Sequence, residues 1–426
     1  MNRDMLPRLS SGEMLRHLVE FDRIGVKWAG TIGEAKTKDY LYNEMKKFGL
    51  DTYVEEFPYL KYSNPQATVS ITAPVQENLN CNPVAYMANK EIEGEAVFVG
   101  SGTRQEFEMV KKAGVDFRDK IVVAISDAPF MLTPLVEEYG SPALLTISLT
   151  PEPGMCRHCC GAFYKCTATP TLPSNVFDFV TNIVGAMVPI DPDANMLLTL
   201  MSVNKVRIKI TNKATYEPAT SWNIISEIKG KEKPEEKVII GAHYDSEFNV
   251  PGVSDNGSGC AGVLEIARAI KAANIPLKRT MVFALFGCEE NGCWGSVAYV
   301  ERYKDDLSKN CIAMLNLDDT VNAGNMAHAL WVSNEMKDIM VEAADALKWK
   351  VHHITGVEPT FSDYAAFRDI NVPTAWCFHY PPMHPYYHTE RDTLEFMPTG
   401  ITDLVAATEV TALAYLELAT TDRRVK

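Results

Sequence analysis

Six residues in the second half of the chain combine types and positions that could do chemistry together: His243, Asp255, Glu289, Glu290, Asp318 and His388. Each follows an apolar, strand-like run or sits in a loop close to one. Val238-Ile239-Ile240 reads as a buried parallel strand that delivers His243, Tyr244 and Asp245 where it ends. A Gly/Pro-rich loop then carries Asp255 and Asn256, before Val263, Leu264, Ile266, Ala267 and Ile270 recur at helical spacing. The run Met281 to Phe286 leads to Glu289 and Glu290, and Cys311 to Leu317 ends at Asp318. His388 lies in HPYYHTERDT, ahead of the last long helical pattern. In open α/β sheets, sites form beyond the carboxyl ends of the strands. Two imidazoles with three carboxylates are what a pair of zinc-like divalent ions requires, one carboxylate bridging them. The remaining glutamate is then free to take a proton from water.

Taken singly, each residue has a plainer reading. A loop histidine often only packs or hydrogen-bonds, adjacent glutamates are usually solvated, and an aspartate at a strand end is often a helix cap. The joint occurrence at successive strand ends is what favours a metal centre.

The elements that must position these groups follow from periodicity. After Tyr216, strands at 237–241, 280–286, 311–317 and 372–378 alternate with helices near 258–273, 295–303, 335–347, 362–368 and 399–419. Such alternation predicts an α/β fold with a mixed, mostly parallel sheet flanked by helices. Before it, helices are expected from Ser11 to Phe21 and from Glu34 to Phe48, the second ended by Gly49, with strands at 53–62 and 67–73. Between about Val75 and Thr215 the texture turns β-rich, with strands expected at 96–100, 120–125, 143–148 and 206–210 and only short helices. We therefore expect a discontinuous domain, 1–75 and 216–426, interrupted by an inserted β-rich domain, 76–215. The insert contains CRHCCGAFYKC, where Cys156, Cys159, Cys160 and Cys166 surround His158. This could be a structural zinc site or a loop of unliganded thiols.

The chain has 426 residues, 46% of them hydrophobic, and a net charge of −14 from 41 Lys+Arg against 55 Asp+Glu. That balance argues against nucleic acid or an anionic membrane as partner. No run approaches the roughly 18 apolar residues of a membrane-spanning helix. The opening residues lack the apolar core of a secretory signal, and ten cysteines then read as reduced thiols, so a cytoplasmic location is expected.

Beyond single residues, the motifs His243-x-Asp245, Ser254-Asp255-Asn256-Gly257-Ser258-Gly259, Glu289-Glu290-x-Gly292-x-x-Gly295-Ser296, Asn316-Leu317-Asp318 and Tyr387-His388-Thr389-x-x-Asp392-Thr393 occur in this order. The set resembles that of the M28 family of di-zinc metallopeptidases. The insert is similar, more weakly, to a protease-associated (PA) domain, through the stretches 117–124 and 139–145. The resemblance implies two zinc ions bridged by Asp255, with His243 and Asp318 completing one position and Glu290 and His388 the other. It implies Glu289 as general base, Asp245 as hydrogen-bond partner of the His243 ring, Tyr387 as oxyanion stabiliser and Asp392 as a supporting or helix-entry residue. It also implies a cis Asp255–Asn256 peptide.

Asp319 departs from the family pattern, which often has an apolar residue there. It could help hold a substrate ammonium or be solvated. Cys288 and Cys293 read as packing residues, while His379 and His384 are spare imidazoles near the site. Phe361, Tyr364, Trp376 and Phe378 could wall an apolar pocket or belong to the core.

The leading functional reading is hydrolysis of the N-terminal peptide bond of a peptide by a di-zinc-activated water. The alternatives are a carboxypeptidase or dipeptidase of the same family, for which Arg368 would be the nearest arginine, or a metal-free binding homologue. A single-zinc cyclase of N-terminal glutamine is a further option, disfavoured by the complete bridging set. The oligomeric state stays open, homo-oligomers included.

Overall fold

Val238, Ile239 and Ile240 are fully buried in the strand Lys233–His243, and the rest of the sheet grows outward from it. The computed structural model describes residues 1–167, 171–320, 327–356, 362–380, 384–397 and 401–425. Lys233–His243 pairs in parallel with Arg279–Phe286 on one side and Cys311–Asn316 on the other. Thr374–Tyr380 adds in parallel beyond Cys311–Asn316, followed by Ala327–Val332 and the edge strand His353–Gly356. Because the inner strands are parallel, their carboxyl ends emerge along one edge, and the loops after them share it. The expected mixed, mostly parallel sheet is present.

Helices cover both faces. Ser11–Ile24, Gly259–Ala273 and Ile401–Thr420 pack one face, with Met14, Leu18, Val263, Leu264 and Leu413 in a single buried cluster. Trp294–Asn310 and Tyr364–Arg368 cover the other through Trp294, Val297 and Phe367. Ser10 caps the first helix by accepting the Glu13 amide at 3.2 Å, and Thr31 does the same for the second through Glu34. Gly49, with φ of +78°, follows the end of that second helix, as its position in the sequence predicts.

Two differences from the sequence expectation matter. The segments 53–62 and 67–73 form one strand, Asp51–Ala73, paired antiparallel along its length with Arg207–Ile228. Ser-Asn-Pro at 63–65 reads as a turn, but here it makes a bulge: the register shifts between Ser63 and Gln66 while Asn64 takes φ of +50°. The second strand runs through position 215, so the sheet continues without interruption from the C-terminal half into the insert. There the order is Glu91–Phe98, Lys120–Ile125, Ala143–Ser148 and Val184–Pro189. Two buried clusters, drawn from residues 69–210, form the core of this region. Among the described residues, no helix is long and apolar enough to cross a membrane.

Candidate active site

His243 is the last residue of its strand, and the next turn places Asp245 beneath the loop that follows Arg279–Phe286. The Asp245 carboxylate accepts the Glu289 amide through Oδ1 at 3.0 Å and the Glu290 amide through Oδ2 at 3.1 Å. One buried side chain thereby sets the backbone of both glutamates. Gly287 makes this path passable, since a Cβ there would lie 2.6 Å from the Trp222 carbonyl oxygen. The expected contact of Asp245 with the His243 ring is looser: Nδ1 lies 3.3 Å from the Asp245 backbone oxygen and 3.6 Å from its carboxylate. Removing the carboxylate by Asp245→Ala strands two buried amides. It should cost roughly 1.5–3 kcal/mol of stability, read as a lower Tm, together with a drop in kcat. An unchanged Tm would mean that other acceptors take those amides.

Asp255 lies between the two imidazoles. Its Oδ1 is 3.1 Å from His243 Nε2 and its Oδ2 3.1 Å from His388 Nε2. Asp318 Oδ1 approaches His243 Nε2 at 3.2 Å, Glu289 Oε2 at 3.8 Å, and Glu290 Oε2 lies 3.2 Å from His388 Nε2. The peptide between Asp255 and Asn256 is cis. Asp392 supports this segment by accepting the Ser254 and Asp255 amides at 2.7 and 3.0 Å. Gly259 opens the helix behind it, where a Cβ would sit 2.1 Å from the Leu317 carbonyl oxygen. Ser362 donates to Asp318 Oδ2 at 2.5 Å, and the Trp376 indole donates to the Asp318 carbonyl at 2.8 Å.

Arg157 and His158 reach into this centre. His388 Nδ1 lies 3.1 Å from the His158 carbonyl oxygen, and the His158 amide donates to the His388 carbonyl at 2.9 Å. The Arg157 guanidinium donates to the Tyr387 carbonyl. Tyr387 stacks on the His388 ring, centroids 3.8 Å apart. The cysteine segment thus roofs the site. Among the described residues, no cysteine belongs to a group able to hold an ion. His158 Nε2 instead meets Glu390 at 2.9 Å. The side chain of Cys166 lies outside the described residues, as do those of Phe378 and His379 and the whole of Phe361.

The centre is buried and strongly anionic. Burial raises the carboxyl pKa of Glu289, Glu290 and Asp318, and neighbouring carboxylates add to it. Burial opposes protonation of His243 and His388, but Asp318 and Glu289 around the first and Glu290 around the second outweigh it and raise both. Asp255 Oδ1 and Glu290 Oε1 are buried without a hydrogen bond of good geometry. Among the described residues lining the cleft there is no lysine or arginine. Three groups, His243/Glu289/Asp318, His243/Asp255/Glu290 and Glu247/Glu290/His388, each bring their ligand atoms within 4.8 Å of one another. Imidazole and carboxylate donors with unused buried oxygens fit divalent cations, zinc among them.

The cleft over this centre has a volume of about 220 Å³. Phe130, Met131 and Phe163 of the insert, with Trp331 and Trp376, form an apolar wall opposite the carboxylates. Trp376 and Tyr364 both belong to the buried core, and of the two Trp376 also lines the cleft. Asp319 is buried, not solvated. It accepts the Ser254 hydroxyl and lies 3.6 Å from His384 Nε2. Cys288 and Cys293 pack in the core as expected, the second with its thiol 3.6 Å from Glu289 Oε1. Arg368 pairs with Asp369 and lines no part of the cleft. Glu247, which lines the cleft, and Ser362, the hydroxyl partner of Asp318, were not anticipated. Only the position of Glu247, four residues after His243, could have signalled it.

Fold and centre together define the class: a metal-dependent hydrolase built on a mixed α/β sheet, with its donors at the strand ends. Residues 223–412 match the family model described as Peptidase family M28. The chain is 25% identical over 381 residues to leucine aminopeptidase 2 of Trichophyton rubrum, covering 82% of this chain and 68% of that protein. Its fold is similar to that of BSAP, a zinc aminopeptidase from Bacillus subtilis, with a TM-score of 0.71 at 21% identity over 98% of this chain and 97% of that one. An aminopeptidase from Aneurinibacillus sp. strain AM-1 gives 0.72 at 22% identity, covering 98% and 96%.

Proposed function

We propose that this chain is a two-metal aminopeptidase that removes N-terminal residues from peptides. The observation that carries the reading is Asp255, with one oxygen toward His243 and the other toward His388, each imidazole also flanked by a further carboxylate. His243, Asp255 and Asp318 would hold one ion, and Asp255, Glu290 and His388 the other, zinc being the best match to the donor set. Bound there, two divalent ions would polarise the scissile carbonyl and bring the pKa of water toward neutrality.

The chain's own residues supply the rest. Glu289 takes the proton of the attacking water and passes it to the leaving nitrogen. Tyr387, which lines the cleft against His388, would donate to the oxyanion. Asp245 and Asp392 hold the backbone of the groups that act. A free α-ammonium suits the anionic end of the cleft, and the apolar wall suits a large apolar first side chain. A carboxypeptidase would need a cation to grip the substrate carboxylate, and the described residues lining the cleft include no lysine or arginine. We further propose that residues 76–215 act as an inserted PA-like unit that closes the cleft from above.

The test compares one peptide with a free and with an acetylated amino terminus, using metal-loaded enzyme. Cleavage of the free form alone is expected. Equal cleavage of both would overturn the aminopeptidase reading in favour of carboxypeptidase action.

A further inference from the structure

Glu247 belongs to none of the motifs that carry the family resemblance, yet it lies inside the centre. Its side chain is 1% exposed and lines the cleft. Neither carboxylate oxygen takes a hydrogen bond of good geometry. The Glu290 carboxylate and the His388 imidazole line the same cleft beside it. One ligand atom from each of Glu247, Glu290 and His388 falls within a 4.8 Å circle. Burying a second carboxylate against a first is strongly unfavourable unless a cation lies between them, and the described residues lining the cleft include neither lysine nor arginine.

The backbone around Glu247 is held by hydrogen bonds. The Val250 amide donates to the Glu247 carbonyl at 3.1 Å, and the Ser246 hydroxyl donates to the Val250 carbonyl at 2.7 Å. The Lys27 amide in turn donates to Ser246 Oγ at 2.9 Å. The carboxylate is therefore presented by a braced turn.

We propose that Glu247 is an additional protein ligand to the divalent cation held by Glu290 and His388, making that position richer in anionic donors than the one at His243 and Asp318. The proposal rests on the two-metal reading above. It makes the two positions unequal: the Glu290–His388 position has four protein donors, counting Asp255, and binds its ion more tightly.

The experiment titrates Zn2+ into the metal-free full chain by calorimetry for wild type, Glu247→Gln and Glu247→Leu, with the Tm of each metal-free protein as the fold control. Wild type is expected to bind two ions with separable constants. In both variants the tighter constant should weaken by roughly 10–100-fold, the weaker one should stay, and the metal-free Tm should be unchanged or higher. Glu247→Gln keeps the shape of the side chain, so it tests the assignment even if the leucine variant folds poorly. Wild-type constants in Glu247→Gln would overturn the proposal. If, with those constants, KM rose for a peptide with a free amino terminus, Glu247 would be a contact to the substrate ammonium instead. Wild type binding fewer than two ions would overturn the two-metal reading, and this assignment with it.

Discussion

Replacing Glu289 by alanine is expected to lower kcat by about 10²–10⁴-fold, the usual contribution of a positioned general base. Its carboxylate sits 3.8 Å from His243 Nε2, and its amide is held by Asp245. It is the carboxylate left over once His243, Asp255, Asp318, Glu290 and His388 are assigned to metal. Bound metal should therefore stay near wild-type content, measured by elemental analysis after dialysis, while turnover of a peptide substrate is lost. KM should change little, because the loss falls on the transition state. A Glu289→Ala enzyme with near wild-type kcat would remove Glu289 from the role of base. Loss of metal in the same variant would make it a ligand instead.

Chelation should have the second large effect, on activity and on stability together. Without cations, several buried carboxylates face one another across a few ångströms. Restoring two ligands that bind only the folded state adds about 4 kcal/mol for each one present at 1,000 times its Kd. The Tm of the dialysed protein should rise accordingly on adding Zn2+. The pH dependence of the metal-free protein follows from the same groups. Burial raises Glu289 and Glu290 above their usual 4.5, while carboxylates overcome burial to raise His243 and His388 above 6.5. In all four the folded chain binds protons more readily than the unfolded chain, so stability falls as pH rises. Asp255 runs the other way, because both imidazoles favour its ionised form despite burial. The metal-free protein should thus lose stability as pH rises from about 4.5, the usual glutamate value, and continue to lose it above 6.5. The metal-loaded protein should hold its Tm over that range. Identical profiles with and without metal would mean that these groups do not face a cation.

Much of the centre was legible in the sequence because its residues sit at ends of apolar runs. A strand buried on both faces has to be almost wholly apolar, as Val238 to Ile240 and Met281 to Phe286 are, so polar residues that terminate such runs stand out. Parallel pairing then forces those ends to one edge, which is why His243, Glu289, Glu290 and Asp318 could be grouped before any coordinates. The loop residues Asp255 and His388 were legible only as parts of ordered motifs. Local patterns could not show contacts between distant segments. The His158 carbonyl meets the His388 ring across 230 residues of sequence, and nothing near either residue signals it. For the same reason CRHCCGAFYKC reads as a possible zinc loop, when tertiary packing makes it the roof of the cleft. The bulge at Ser63–Gln66 looks like a turn until its partner strand is known, since a strand of this length is held by pairing and not by its own propensity. Asp319 and Glu247 carry charges that composition assigns to solvent. Only the fold could bury them, by packing segments distant in sequence around both.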